Sequence, residues 1–267
     1  GVVMTHGHDD HIGAIPFLLM DTDVDVYCTK FPRGLIENKL VEYPQLEEIR
    51  FHNIEPGKKF KVGPFTFEGI SVAHSIIEAM ALAIETPVGV VIHSGDFKHD
   101  ASLMEDGHTG FDAFKAYGDK GVRLLLSDST NAERTGHTIS ETDVTEAFEP
   151  IFRAQTGRLF VALFASNIRR LENLLKLAKA HGKKVAFAGR SMHSYTRLAH
   201  GLDKMELPTD TIVLAENLER FEDKDSIVFL TGSQAEPGAA LPRIAHGTHK
   251  EFKLRPGDHV VMSSRFI

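Results

Sequence analysis

Cysteine is almost missing from this chain. Cys28 is the single one in 267 residues, which excludes an internal disulfide framework, rules out a metal site built from thiolates and fits a reducing, cytoplasmic setting. Tryptophan is absent altogether, and the 18 phenylalanines sit mostly in apolar runs, so no platform for stacking nucleobases is obvious. No apolar run approaches the roughly 20 residues of a membrane helix and no signal peptide is visible, so no membrane partner is expected. Positive charge is not in surplus either: 30 Lys and Arg against 37 Asp and Glu leave a net charge of -7. That excludes a generally basic coat for nucleic acid and leaves any polyanion to metal ions and local basic loops. An initiator Met is also lacking. The chain opens on Gly1-Val2-Val3, inside an apparent strand, and stops just after another, so it reads as a fragment cut at both ends.

What is present is ample for a buried core: 42% of the residues are hydrophobic, and the length favours two domains. We place them at 1–140 and 141–267 because the rhythm of the chain changes there, without internal repeats or low-complexity tracts. In the first half, strands are expected over 24–28, 60–62, 65–72, 81–85, 88–93 and 122–127, mostly joined by short turns such as Thr86-Pro87-Val88-Gly89. Helices are expected only over 12–19 and 32–43. Such a half resembles stacked, largely antiparallel sheet with helices outside. After a helix over 144–152, strands over 158–164, 184–188, 226–230 and 259–263 alternate with helices over 167–181, from 191 and over 235–246. That alternation is βαβ grammar and implies a parallel sheet.

Fifteen histidines are many, and three stand together in Thr5-His6-Gly7-His8-Asp9-Asp10-His11-Ile12-Gly13, directly after the apolar run Val2-Val3-Met4. Imidazole suits zinc and similar divalent ions, and an added carboxylate allows a second, harder-ligated ion. His6, His8, Asp10 and His11 are too dense for one tetrahedral ion and suggest two neighbouring metals. Asp9 is read as solvent-facing or supporting. His74 follows the strand over 65–72 and Asp96 the strand over 88–93, and strand ends converge on one sheet edge. A carboxylate such as Asp96 can bridge two cations. His93, inside its strand, is read as packed or supporting.

These residues resemble the metallo-β-lactamase superfamily, whose fold is an αββα sandwich with a dimetal site on one edge. Within it, Leu126-Ser127-Asp128-Ser129-Thr130-Asn131-Ala132-Glu133, Phe164-Ala165-Ser166-Asn167, Gly189-Arg190-Ser191-Met192 and Thr231-Gly232-Ser233-Gln234 are similar to the β-CASP nucleases, specifically the ribonuclease J branch. The resemblance covers nearly the whole chain. It implies a partial metallo-β-lactamase core with its N-terminal strands missing, over 1–140, and an inserted β-CASP domain of parallel βαβ type lacking its C-terminal end, over 141–267. It further implies two divalent metals, zinc or manganese, with His6, His8 and His74 on one, Asp10 and His11 on the other, and Asp96 bridging. Asp128 matches the acidic motif that opens the β-CASP part and joins Asp10 as a catalytic carboxylate. Two departures stand out. Ile77-Glu78 occupies the place where that branch shows Pro-Asp, and the family's last metal histidine and its His-rich Ser-Gly motif lie downstream of the point where this chain stops.

The second half gives an independent reason to expect nucleic acid. Loops after parallel strands gather on one rim, where helix N-termini present free N–H groups to anions. Here those loops carry Ser166, Asn167, Arg190, Ser191, Ser233, Gln234 and Ser264, with Arg265 beyond, a set suited to phosphate oxygens and not to reading bases. Arg169 and Arg170 are left outside the site as solvent-facing, and simple helix capping is the bland alternative. The expected function is therefore hydrolysis of RNA phosphodiesters by metal-activated water in the cleft between the halves, with Asp10 orienting that water. The resemblance implies a 5′-to-3′ exonuclease with endonuclease activity, serving rRNA processing and mRNA decay, as a homo-oligomer or with other RNA-decay proteins. A two-metal hydrolase of small esters or lactams is one rival, and a non-catalytic RNA-binding scaffold is the other.

Overall fold

The computed structural model describes residues 1–46, 48–100 and 110–264. The chain divides into two compact units, Gly1–Ser140 and Glu141–Ile267.

In the first unit, strands β1 (Val2–Val3), β2 (Val26–Cys28) and β3 (Phe51–Asn53) form a parallel sheet in the order β1-β2-β3. This differs from the expectation of largely antiparallel sheet. Helices α1 (Asp9–Ile12) and α2 (Ile15–Asp21) cross from β1 to β2, and α3 (Lys30–Leu40) crosses from β2 to β3, so each connection returns the chain in the same direction. One helix was expected over 12–19; the chain breaks it in two at Gly13-Ala14. The second sheet runs β4 (Lys59–Val62), β5 (Phe65–Ser71), β6 (Met80–Thr86), β7 (Gly89–His93) and β8 (Val122–Leu126), antiparallel except for the β7–β8 pair. The Thr86-to-Gly89 hairpin forms as read, with Thr86 Oγ1 donating to the Gly89 carbonyl at 2.7 Å.

Val3 and Tyr27 of one sheet pack with Met80, Leu82 and Phe60 of the other. On its far face the five-stranded sheet holds Ile70, Ala81, Ala83 and Ile92 against Tyr117 of α4 (Phe111–Lys120), a helix absent from the sequence expectation. Helix, sheet, sheet and helix therefore stack as αββα.

The second unit is a four-stranded parallel sheet in the order β10-β11-β9-β12, built from β9 (Leu159–Ala162), β10 (Lys184–Ala188), β11 (Ser226–Leu230) and β12 (His259–Met262). Every residue of β9 and β11 is buried, which is why these strands read as unbroken apolar runs. Helices α5 (Glu141–Arg153), α6 (Ile168–Ala180), α7 (Arg190–Gly201) and α8 (Ala240–Ala245) surround it. In α6, Ile168, Leu171, Leu174, Leu175 and Ala178 are buried on one face, the periodicity that marked it in the sequence. Helix α8 is shorter than the expected 235–246, because Ala235 sits at φ +58° in a turn.

Candidate metal centre and phosphate rim

β1 delivers Thr5 and His6 into the first unit's interior, where the Met80 amide donates to the Thr5 carbonyl at 2.9 Å. Gly7 is required by space: a Cβ there would lie 2.8 Å from Leu35 Cδ1 and 3.3 Å from the Pro32 Cα, so α3 backs directly onto the loop. His74 comes from the loop between β5 and β6, and Asp96 from the turn after β7. Gly95 allows that turn, at φ +58° with the Met80 carbonyl 2.7 Å from where a Cβ would stand. Of the two readings of His93, packed or supporting, the structure favours the second: the ring is exposed, and its Nδ1 accepts the Gly95 amide at 3.1 Å, bracing the turn.

The four histidines His6, His8, His11 and His74 converge, with His6 in the middle: its ring centroid lies 4.0 Å from that of His11, 4.8 Å from His74 and 4.9 Å from His8. His74 Nε2 stands 3.0 Å from His8 Nδ1, and Ser75 Oγ 3.4 Å from His8 Nε2. Asp96 Oδ2 is 3.4 Å from His11 Nε2 and 3.9 Å from the Nε2 atoms of both His6 and His74. His6, His8 and His74 form one group whose ligand atoms lie within 4.8 Å of one another, and His6, His11 and Asp96 form a second. Asp10 stays at the edge, 3.6 Å from His11 Nε2 with its side chain 78% exposed, and belongs to neither group. Asp9 faces outward and pairs with Lys39.

The donor set fits divalent cations. Thr5 Oγ1 occupies His6 Nδ1 at 3.1 Å, while His6 Nε2 is buried with no hydrogen-bond partner, an arrangement that costs about 1–3 kcal/mol unless something else binds there. Burial, reinforced by the neighbouring imidazoles, lowers the His6 pKa to about 2 and that of His74 to about 4. Burial also lowers His8, against the pull of Asp10 and Asp96. At neutral pH these rings are uncharged, the state in which imidazole binds metal. Asp128 lies at the end of β8. Burial acts to raise its pKa, but hydrogen bonds from Thr130 and from the Phe97 amide, with help from His74, leave it lowered. The Thr130 amide reaches its Oδ1 at 2.7 Å.

In the second unit all four strands point the same way, so the loops after β9, β10, β11 and β12 share one rim. Asn167 is the exception among the expected donors: it is buried, its Oδ1 accepts the Arg170 amide at 3.1 Å as the α6 cap, and its Nδ2 reaches Glu141 at 3.5 Å. Its burial and these bonds tie it to the α6 start, so it shapes the rim from behind. Helix capping does not account for the others. The caps of α7 and α8 are Gly189 and Ala239, neither with a side-chain bond. Gly189 has φ +110° and sits against Thr231, which leaves Arg190 and Ser191 exposed at an open helix start. Ser233 Oγ is buried without a partner, Gln234 Nε2 donates to Ser264 Oγ at 3.5 Å, and Ser166 is half-buried. Arg265 lies outside the described residues.

Arg170, expected in solvent, turns inward. Its Nε and Nη2 donate to the two Glu141 carboxylate oxygens at 2.8 and 2.7 Å, and its Nη1 donates to the Ser263 carbonyl at 2.7 Å. Beyond Arg190, the sequence reading missed the stripe that His193 and Arg197 form with it on α7: all three are exposed, α7 contains no acidic residue, and none of the three is in an ion pair among the described residues. Spacing of three and four along a helix was the available signal.

Comparison with known proteins agrees with this architecture. Residues 1–155 match the β-lactamase superfamily domain and residues 156–267 the β-CASP domain of ribonuclease J. Proteins named ribonuclease J are similar along the chain: that of Synechocystis sp. is 40% identical over 100% of this chain and 42% of its own length. The Helicobacter pylori protein is 37% identical over 100% and 39%, and the Thermus thermophilus protein 35% over 98% and 47%. The chain thus spans less than half the length of these relatives. A solved Enterococcus faecalis protein of unknown function shares the fold, with a TM-score of 0.64 at 16% identity, covering 97% of this chain and 70% of that one. With 1–155 and 156–267 both matched, a boundary 15 residues beyond that of the compact units, the chain belongs to the β-lactamase superfamily and carries the β-CASP domain of its ribonuclease J branch.

Proposed function

We propose that this chain supplies the metal centre and a phosphate-binding rim of a ribonuclease that hydrolyses RNA phosphodiesters. The observation that carries the reading is Asp96 Oδ2 standing within 4 Å of three imidazole nitrogens, a carboxylate poised between two ligand groups that share His6. In this reading His6, His8 and His74 would hold one divalent ion and Asp10 and His11 the other, with Asp96 between the two groups. Zinc is favoured by the imidazole content, with manganese accepted by the same ligands. Ions held there lower the pKa of water from 15.7 toward about 7 and draw charge from phosphate.

The chain's own residues do the rest. Asp10, exposed beside His11, is placed to orient the attacking water and receive its proton. Asp128, held ionised by Thr130 and Phe97, fixes the polar ground next to His74. Arg190, Ser191 and Ser264 bind phosphate oxygens, the buried Ser233 lies behind them, and the α7 stripe extends that surface. Activity from the 5′ end and a role in RNA processing and decay are what the resemblance to the ribonuclease J branch implies, and a cytoplasmic setting is supported by the single cysteine, Cys28, being free and buried. No helix among the described residues is long and apolar enough to cross a membrane.

The test is His6→Ala with His8→Ala in the intact protein. Metal content by elemental analysis falls, and cleavage of a 5′-monophosphorylated RNA drops by at least about 100-fold, the scale on which first ligands matter. RNA binding persists weakly. Undiminished cleavage overturns the site.

A further inference from the structure

The loop that carries His74 is fixed at more points than its sequence suggests. The Val72 amide bonds to the Ala79 carbonyl at 3.1 Å, closing the loop, and the Lys98 amide bonds to the Ala73 carbonyl at 2.6 Å. Ile76 and Ile77 are buried. Glu78 then does something unusual. It holds a left-handed backbone, φ +59°, which an L side chain adopts rarely, and its Oε2 accepts the backbone amide of Phe31 at 2.8 Å, 47 residues away. Phe31 lies in the first turn of α3, whose own cap residue, Thr29, makes no side-chain cap bond. Thr29 Oγ1 instead donates to the Glu78 carbonyl at 3.3 Å. The side chain of Glu78 thus caps α3 from a distant loop, while its carbonyl holds the hydroxyl of Thr29, the residue before the helix.

The same helix forms the wall behind the first metal-ligand loop. Leu35 and Pro32 of α3 press on Gly7, between His6 and His8, and Ile76 of the His74 loop lies beside the same glycine. Glu78 therefore ties the loop bearing His74 to the wall supporting His6 and His8. We infer that Glu78 is a positioning residue for the metal centre: its cap on α3 sets His74 against His8 and His6, acting through the backbone without touching an ion. This explains how Ile77-Glu78 serves in this chain, since the longer acid reaches the α3 amide across the loop.

This inference rests on the metal reading above, and cobalt(II) titration of the intact protein, followed by visible absorption and with thermal unfolding alongside, separates the two. Glu78→Gln keeps an acceptor oxygen and retains cobalt affinity within about threefold. Glu78→Ala and Glu78→Gly remove it and weaken cobalt binding about tenfold or more, the usual loss when a ligand's support goes, with an altered spectrum. The glycine variant relieves the left-handed backbone, so if it binds cobalt normally the conformation and not the cap matters, and the inference is overturned. Wild-type affinity in both capless variants overturns it too. Should Glu78→Ala not fold, Glu78→Gly against Glu78→Gln decides. His74→Ala is the control: if that variant binds cobalt as the unmodified protein does, the metal reading itself fails.

Discussion

At the scale of single residues, Asp96 carries the sharpest consequence. Two cations about 3.5–4 Å apart repel strongly, and a carboxylate between them offsets that repulsion. Asp96→Asn keeps the size and removes the charge, so on the proposed two-metal reading metal content should fall from two ions toward one per chain by elemental analysis. Two tightly held ions in that variant would remove Asp96 from the bridging role. Cys28 makes the opposite kind of statement. Fully buried in β2, its thiol is pushed up to about 12 by desolvation. The thiolate is the reactive form, so at pH 8 only ~1 in 10,000 is available and raising the pH toward 12 is what exposes it. Cys28 should therefore resist alkylation in the native state and label at once in denaturant; rapid native labelling would contradict the burial. Much of the candidate metal cluster was legible because four of its histidines and carboxylates crowd within six residues and the remaining two stand at strand ends. Glu78 was not legible in this role, because a cap spanning 47 residues leaves no local pattern.

At the scale of elements, α7 and α6 show two fates for arginine. On α7, Arg190 and Arg197 are seven residues apart, about 10.5 Å along the axis. Replacing either with Ala should weaken RNA binding across sequences alike and lower the slope of log affinity against log salt by about 0.7–1. Ser191→Ala should leave the slope alone. An unchanged slope in both arginine variants would mean that α7 does not meet phosphate, which favours the small-ester hydrolase, whose turnover neither change would touch. On α6, Arg170 is enclosed with Glu141, the two side chains 16% and 4% exposed. Removing one partner strands the other, so Arg170→Ala should destabilise the protein by about 3–5 kcal/mol in chemical denaturation, with Arg170→Met less harmful if Glu141 is changed to Gln as well. A loss under 1 kcal/mol would show the pair to be dispensable. Helix periodicity located α6 well but could not tell an inward Arg170 from an outward one, because a long stem can place its charge on either side of the stripe.

At the scale of the molecule, the two units differed in how readily the sequence disclosed them. Parallel strands buried on both faces leave runs such as Leu159–Ala162 and Ser226–Leu230 that stand out without help. The first unit hides more, since β1 and β3 are two and three residues long and take their order from helical crossovers that periodicity does not reveal. The guanidinium of Arg170 has a last consequence here. It grips Glu141, where the second unit starts, and the carbonyl of Ser263, just past its final described strand. One side chain thus holds the first helix of this unit to the segment just past β12, so Arg170→Ala should speed amide hydrogen exchange at both places together, and loosening at only one of them would show that the guanidinium does not couple them.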